Sequence, residues 1–189
     1  MLVHQPWDAQ VRGNDGLAGL REAVEGAAVR TVRYVVPQGE NWPEGHREDR
    51  AHEVDMAVEL GLDTQATLAF FWSMDGVNEG LAIAFRAPGE GDVTHHGDAI
   101  DVSGHVDWEE FLGQDIVGIT PAWHIPNEGC PEMPWAYRLE FSRRSSLVIA
   151  LGEAEGSGFT YMPDALVVIF DRSLSVSYEI PASGTSSYG

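Results

Sequence analysis

The chain of 189 residues contains no lysine, so its 11 basic residues are all arginines. This absence excludes a Schiff-base lysine, a lysine general base and a P-loop lysine on a nucleotide phosphate. The 30 acidic residues outnumber the arginines and give a formal net charge of −19. Because so negative a field repels phosphate backbones and anionic lipids, we expect no nucleic-acid or membrane binding. A basic protein partner fits this charge; solubility alone is the alternative explanation.

Cysteine and long apolar runs are also scarce. The single cysteine, Cys130, cannot form an internal disulfide, so nothing in the sequence calls for an oxidising compartment. No apolar run approaches the ~20 residues of a membrane-spanning helix. The first residues, M-L-V-H-Q-P-W-D, lack the cationic segment and apolar run of a signal peptide. We therefore expect a cytoplasmic protein.

The most informative pattern in the sequence is a repeated β-hairpin. Residues 56–72 align with residues 135–151 at an offset of 79. The aligned apolar residues are Met56, Val58, Leu60 and Leu62 in the first segment and Trp135, Tyr137, Leu139 and Phe141 in the second. Alternation of this kind is typical of a strand with one buried face, and a polar turn and a second apolar strand follow each time. The pattern predicts duplicated halves, with generic hairpin similarity as the alternative.

The order of predicted elements is the second sign of duplication. In the first half we expect a helix over 17–25, a strand ended by Pro37, a long loop to Glu53 and three strands, the first over 54–62. The second half repeats this order. It begins with a short helix capped by Asp107 and continues with a strand, a loop and three strands.

These elements predict a mainly β (α+β) domain of two pseudo-repeated α-β-β-β-β halves. Their antiparallel sheets form a β-sandwich or a barrel-like domain with two short peripheral helices. The predicted segments are a loose lead-in over 1–16, a first half over 17–86, a Gly-, Asp- and His-rich linker over 87–104, a second half over 105–172 and a flexible tail over 173–189.

The sequence contains no recognisable catalytic or metal-binding motif. His46 and His52 lie six residues apart, which fits neither helical neighbours nor an H-E-x-x-H helix. We interpret them as solvated loop histidines and expect no metal ion or other cofactor. Cys130 follows His124 by six residues, but the glutamates around it disfavour a thiolate. A semi-buried loop cysteine is therefore expected rather than a nucleophile, and the sequence favours a protein that is not an enzyme.

Aromatic residues mark the two corresponding loops. The candidate binding residues are Trp42, Glu44 and His46 in the first loop and Trp123, His124, Glu132 and Trp135 around the second. Tryptophan in a loop is typical of a binding site, although it also caps the open ends of sheets. Our first hypothesis is an acidic protein-interaction module, such as an immunity or inhibitor protein with a basic partner. The alternative is a small-molecule-binding protein or enzyme that uses an aromatic, acidic cleft between the halves.

Overall fold

The computed structural model describes residues 1–7, 17–42, 47–48, 50–91, 97–155, 158–171 and 173. Within them lie one α-helix, α1 (Ala18–Val24), and one 3-10 helix (Val106–Trp108). The strands, in chain order, are β1 (Leu2–His4), β2 (Val29–Pro37), β3 (Arg47–Glu48), β4 (Ala51–Val54), β5 (Ala57–Leu62), β6 (Thr67–Asp75), β7 (Asn78–Arg86), β8 (Gly97–Asp101), β9 (Ile116–His124), β10 (Met133–Phe141), β11 (Ser146–Leu151), β12 (Glu153–Glu155), β13 (Gly158–Thr160) and β14 (Leu166–Ile169).

The strands form two six-stranded antiparallel sheets. The first sheet has the order β1-β7-β6-β5-β2-β8, and the second has the order β3-β4-β14-β11-β10-β9. Strands β12 and β13 pair only with each other in the described part of the chain. Among the described residues, no strand closes either sheet into a ring. The predicted mainly β class is therefore confirmed, in its sandwich form rather than its barrel-like form.

The main core lies between the two sheets, where the alternating residues of the repeated hairpin meet. The largest buried cluster contains residues from both copies of the hairpin. They are Val58, Leu60 and Leu62 from β5 and Tyr137, Leu139 and Phe141 from β10. Alternation places these side chains on one face of each strand, as the sequence predicted. The ring of Tyr137 also lies 5.9 Å from the ring of Phe70 on β6, which brings the two sheets into direct contact.

The strand predicted over 54–62 is two strands in two different sheets. Strand β4 ends at Val54 and pairs with β14, whereas β5 begins at Ala57 and pairs with β2 and β6. The bend at Asp55 and Met56 carries the chain from the second sheet to the first. Met56 therefore packs with Val35 on the outer face of the first sheet instead of in the core. The long loop predicted up to Glu53 likewise contains β3 and β4.

The two helices differ in how closely they match the prediction. Helix α1 confirms the helix expected over 17–25. The second helix is a single 3-10 turn whose N-cap is His105 and not Asp107, since the Asp107 N–H donates to His105 Nδ1 at 3.2 Å. Trp108 of this turn has no exposed surface, so the turn is not peripheral. No helix in the described part of the chain is long and apolar enough to cross a bilayer.

The predicted lead-in and linker also contain strands. Residues Leu2–His4 pair with β7 as β1, so the expectation of a loose lead-in was wrong for these three residues. Strand β8 lies within the predicted linker and pairs with β2. Residues 8–16 and the tail beyond Ser173 lie outside the described residues.

Hydrogen bonds in the two hairpin turns are equivalent at the offset of 79. The N–H of Gln65 donates to the carbonyl of Leu62 at 3.0 Å, and the N–H of Arg144 donates to the carbonyl of Phe141 at 2.9 Å. Gln65 and Arg144 both have a φ of 64°, in the left-handed region. The two turns thus have the same backbone geometry at the same position.

A second pair of equivalent contacts lies where β2 and β9 begin. Ala28 and Asp115 form an antiparallel bridge. The N–H of Asp63 donates to the Ala28 carbonyl, while its carboxylate accepts the Ala28 N–H. Ser142, 79 residues after Asp63, contacts Asp115 in the same way through its N–H and its hydroxyl. Equivalent contacts of this kind are expected if the two halves arose by duplication. The duplication itself stays a prediction.

Candidate functional site

A buried chain of hydrogen bonds joins the two sheets where β2 faces β4. The indole Nε1 of Trp108 donates to the Tyr34 hydroxyl oxygen at 2.9 Å. That oxygen lies 2.8 Å from Nδ1 of His52, and Nε2 of His52 lies 3.0 Å from Oδ2 of Asp107. The first three residues have no exposed surface and Asp107 is buried. Together with His105, these four residues are called the first polar cluster below.

The directions of these hydrogen bonds follow from what each group can donate. An indole N–H only donates, so the Tyr34 oxygen accepts from Trp108. The Tyr34 hydroxyl proton is then directed to His52 Nδ1, and His52 Nε2–H donates to the Asp107 carboxylate. This assignment gives a partner to each donor and acceptor atom that joins Trp108, Tyr34, His52 and Asp107, as burial requires.

Aromatic rings surround His52. Its ring centroid lies 4.9 Å from that of Trp42, 4.5 Å from that of His105 and 4.7 Å from that of Phe170. Trp42 is itself fixed by a hydrogen bond of 2.7 Å from its Nε1 to the carbonyl of Glu53. The first polar cluster therefore has an aromatic wall that keeps His52 away from water.

The cluster reaches solvent on the side of Arg50 and His105. Arg50 Nε lies 3.4 Å from Asp107 Oδ1, and its NH2 group lies 3.5 Å from a carboxylate oxygen of Glu110. The Arg50 side chain is 44% exposed and the His105 side chain is 15% exposed. His105 Nδ1 is also 3.6 Å from Asp107 Oδ2. The partly exposed groups of this region are thus His105 and Arg50, which both contact buried Asp107.

The buried part of the cluster is not a nucleophile. Burial raises the pKa of Tyr34 well above its usual value, and the hydrogen bond from Trp108 offsets only part of this effect. The phenol therefore stays protonated at neutral pH. Since the ring nitrogens of His52 face Tyr34 and Asp107, the Tyr34–His52 pair fixes the positions of β2 and β4.

A second polar cluster consists of Glu79, His124, Trp135 and Tyr161. The Tyr161 hydroxyl donates to a carboxylate oxygen of Glu79 at 3.0 Å. The His124 ring centroid lies 5.2 Å from that of Tyr161 and 5.9 Å from that of Trp135. His124 has no exposed surface, and burial lowers its pKa from 6.5 to about 4. The imidazole is therefore neutral at physiological pH.

The structure distributes the predicted binding residues over two places. Trp42 belongs to the wall of the first polar cluster, whereas His124 and Trp135 belong to the second. Trp123 is half-buried on β9, and Glu132 is exposed just before β10. The other two predicted residues, Glu44 and His46, lie outside the described residues. Among the described residues, the ring contacts of Trp42 and of Trp135 therefore involve different aromatic partners, although both side chains pack against the main core.

Strand order explains this separation. The first polar cluster contacts the first sheet through β2, and the second contacts it through β7. These strands are separated by β5 and β6, which places them about 14 Å apart at the usual ~4.8 Å between neighbouring strands. The two clusters are therefore distinct sites on opposite sides of the core.

Sequence reasoning missed most of the first polar cluster. His52 was expected to be a solvated loop histidine, yet it lies on β4 with no exposed surface. Tyr34 and Asp107 come from elements 18 and 55 residues away from it, which no local pattern connects. The available signal was a tyrosine with apolar neighbours on one side, in Y-V-V at residues 34–36, since a buried tyrosine hydroxyl needs a hydrogen-bond partner.

No family model, curated protein or solved structure matches the chain.

Proposed function

We propose that the chain is an acidic protein-interaction module that binds a basic protein, as an inhibitor or immunity protein does. The observation that carries this proposal is the number of exposed carboxylates that make no ion pair among the described residues. They are Glu22, Glu25, Glu40, Asp75, Asp98, Asp101, Glu109, Asp115, Glu128, Glu132, Glu140 and Asp164. Their charge is available to a cationic partner.

Several arginines are already used within the protein. Arg33 and Arg86 both bind the buried carboxylate of Glu59, at 2.6 and 2.5 Å. Arg50 binds Asp107 and Glu110. Arg33 also acts on the exposed carboxylate of Asp101 and Arg50 on that of Glu110, so these three arginines reach few of the exposed carboxylates.

We propose the free edge of the first sheet as the docking surface, which we call the acidic edge and define as Glu40, Asp98 and Asp101. Within the described residues, β8 pairs only with β2 and so ends the sheet. Hydrogen bonds from Ser103 lower the pKa of Asp101, which keeps its carboxylate ionised. A charged edge strand also discourages self-association, which is the alternative role for these residues. For a basic partner, the same charges would speed association through electrostatic steering.

The test is a pull-down of the purified protein from a lysate of its source at low and moderate salt, with the bound proteins identified by mass spectrometry. We expect a basic protein that is retained at low salt and weakened by added salt. The triple variant Glu40→Gln, Asp98→Asn, Asp101→Asn should bind this partner about tenfold less tightly, because three exposed ion pairs of ~0.5 kcal/mol each amount to ~1.5 kcal/mol.

The matched control removes the same charge elsewhere, with Asp75→Asn, Glu128→Gln and Asp164→Asn. These exposed carboxylates lie outside the acidic edge. Equal weakening by both triple variants would leave general acidity as the cause and rule out the acidic edge as the binding surface. If no protein is retained at either salt, the interaction proposal is wrong.

The second candidate function is binding of a small molecule at the first polar cluster. It is favoured by one observation, which is that partly exposed His105 and Arg50 meet Asp107 beside the Trp42 ring. A metabolite screen by thermal shift tests it. A hit whose effect disappears in His105→Gln would support this function, whereas a screen without hits would count against it.

A further inference from the structure

We propose that His52, His105 and Asp107 form a binding site for a divalent first-row transition metal ion of the zinc class. Each residue offers one ligand atom, and the three ligand atoms lie within 4.8 Å of one another. Imidazole nitrogen with one carboxylate oxygen is a common ligand set for such ions. This site is independent of the proposed protein-binding surface.

The distances between the ligand atoms fit a bound ion. Zinc binds nitrogen and carboxylate oxygen at about 2.0–2.1 Å, which places tetrahedral ligands ~3.3 Å apart. Asp107 Oδ2 lies 3.0 Å from His52 Nε2 and 3.6 Å from His105 Nδ1. These two distances lie within about 0.3 Å of that spacing, and the ligand atoms of the two histidines lie within 4.8 Å of each other.

Two further residues hold the ligands in orientation. The Tyr34 hydroxyl lies 2.8 Å from Nδ1 of His52, which leaves Nε2 directed at Asp107. Arg50 contacts Oδ1 of Asp107 and leaves Oδ2 as the oxygen that faces the histidines. A hydrogen-bond partner on the second ring nitrogen or second carboxylate oxygen is characteristic of metal sites.

The ion would replace existing hydrogen bonds, and this cost limits its affinity. It displaces the proton from His52 Nε2, so His52 takes the tautomer protonated at Nδ1, whose N–H donates to the Tyr34 oxygen and reverses that hydrogen bond. The ion also replaces the contact of 3.2 Å from the Asp107 N–H to His105 Nδ1. Arg50 adds a positive charge nearby, but its side chain is 44% exposed and can turn towards water or Glu110. The net charge of −19 favours entry of a cation from the solvent side.

The exposure of the ligands sets the type of site. His52 is fully buried and His105 is 15% exposed, so one side of the site opens to solvent. Three protein ligands with one accessible position are the arrangement of zinc sites that bind water or a small ligand. A structural zinc site would instead be closed by a fourth protein ligand.

The experiment titrates Co²⁺, as a spectroscopic substitute for Zn²⁺, into chelator-treated and dialysed full-length protein without an affinity tag. We expect a saturable visible absorbance at one ion per chain, lost when Zn²⁺ is added. His105→Gln should weaken Co²⁺ binding by about tenfold or more, since even residues that only orient a ligand contribute 10–100-fold. Zn²⁺ should also raise the unfolding temperature of the wild type and not of this variant.

The matched control is Glu109→Gln, which removes an exposed carboxylate two residues from Asp107. It should bind Co²⁺ as tightly as the wild type. Circular dichroism verifies that His105→Gln is folded, and Asp107→Asn provides a second variant with the same expected loss. The proposal is overturned if the wild type gives no saturable absorbance, or if folded His105→Gln binds Co²⁺ as tightly as the wild type does.

Discussion

The hydroxyl oxygen of Tyr34 lies 2.8 Å from Nδ1 of His52, so the first sheet and the second sheet share a hydrogen bond inside the protein. The same oxygen accepts from the indole of Trp108, which extends the link to the 3-10 helix. Most contacts between the two sheets are apolar and have no preferred direction. This hydrogen bond, in contrast, fixes β4 at one position along β2.

Replacing Tyr34 by phenylalanine should therefore lower the free energy of unfolding. Tyr34→Phe removes the acceptor of the Trp108 N–H and the partner of His52 Nδ1, both without exposed surface. Leaving two buried polar atoms without partners costs about 2–4 kcal/mol of the free energy of unfolding. Urea denaturation at neutral pH measures this loss.

The matched control is Tyr137→Phe. The Tyr137 hydroxyl is equally buried and has no hydrogen-bond partner among the described residues, so phenylalanine removes an unsatisfied group. We expect no loss of stability, or a small gain. An equal loss in both variants would mean that removing a buried hydroxyl has the same cost with or without hydrogen-bond partners, and that the hydrogen bonds of Tyr34 do not account for the loss.

Protonation of His124 should destabilise the fold as the pH falls. Burial lowers the pKa of His124 in the folded protein to about 4, whereas the same imidazole in the unfolded chain titrates near its ordinary value of 6.5. The unfolded state therefore binds the proton first. The contribution of neutral His124 to the free energy of unfolding is therefore fully present above pH ~6.5 and is lost progressively towards pH ~4. At about pH 5 the loss amounts to about 2 kcal/mol.

The variant His124→Phe isolates this effect. Phenylalanine keeps a ring against Trp135 and Tyr161 but does not titrate. We expect the free energy of unfolding of the wild type to fall by about 2 kcal/mol more than that of the variant between pH ~7.5 and pH ~5. Titration of the acidic surface is common to both proteins and cancels in this difference. Parallel pH profiles would contradict the assignment.

The sequence predicted local features well and the contacts between sheets poorly. Alternation located the inward faces of β5 and β10, and the polar turns were found at the correct positions. Period-two alternation specifies a buried face without specifying the sheet, and Val54, Met56 and Val58 alternate straight through the bend between sheets. The link between Tyr34, His52 and Asp107 depends on how the sheets pack, which short-range patterns do not contain.

Replacing Glu59 should lower the free energy of unfolding far more than replacing Arg33, its exposed partner. Its carboxylate is 2% exposed and lies between Arg33 and buried Arg86. Glu59→Gln removes the negative charge that both guanidinium groups share, and breaking a buried ion pair in this way costs about 3–5 kcal/mol. Arg33→Gln removes a 44% exposed partner and should cost about 1 kcal/mol or less. Urea denaturation of the two variants distinguishes them, and equal costs would show that the carboxylate is better solvated than its burial implies.

Glycine should have the same effect on stability in the two hairpin turns, because their backbone conformations match. Gln65 and Arg144 both have a φ of 64°, a conformation that costs a residue with a Cβ atom about 1–2 kcal/mol relative to glycine. Glycine loses about 0.5–1 kcal/mol of this advantage through its greater entropy in the unfolded chain. Gln65→Gly and Arg144→Gly should therefore each stabilise the protein by about 0.5 kcal/mol in thermal or urea unfolding.

The preceding turn residues, Thr64 and Arg143, are the controls because neither has a positive φ. Glycine at either control position has only the entropic cost and should destabilise the fold. Since Gln65 and Arg144 are 79 residues apart, the offset of the repeated hairpin, a duplicated half requires the same sign of effect at both. Stabilisation at Gln65 together with destabilisation at Arg144 would mean that the turns share a shape but are not energetically equivalent. That result would favour generic hairpin similarity over duplication.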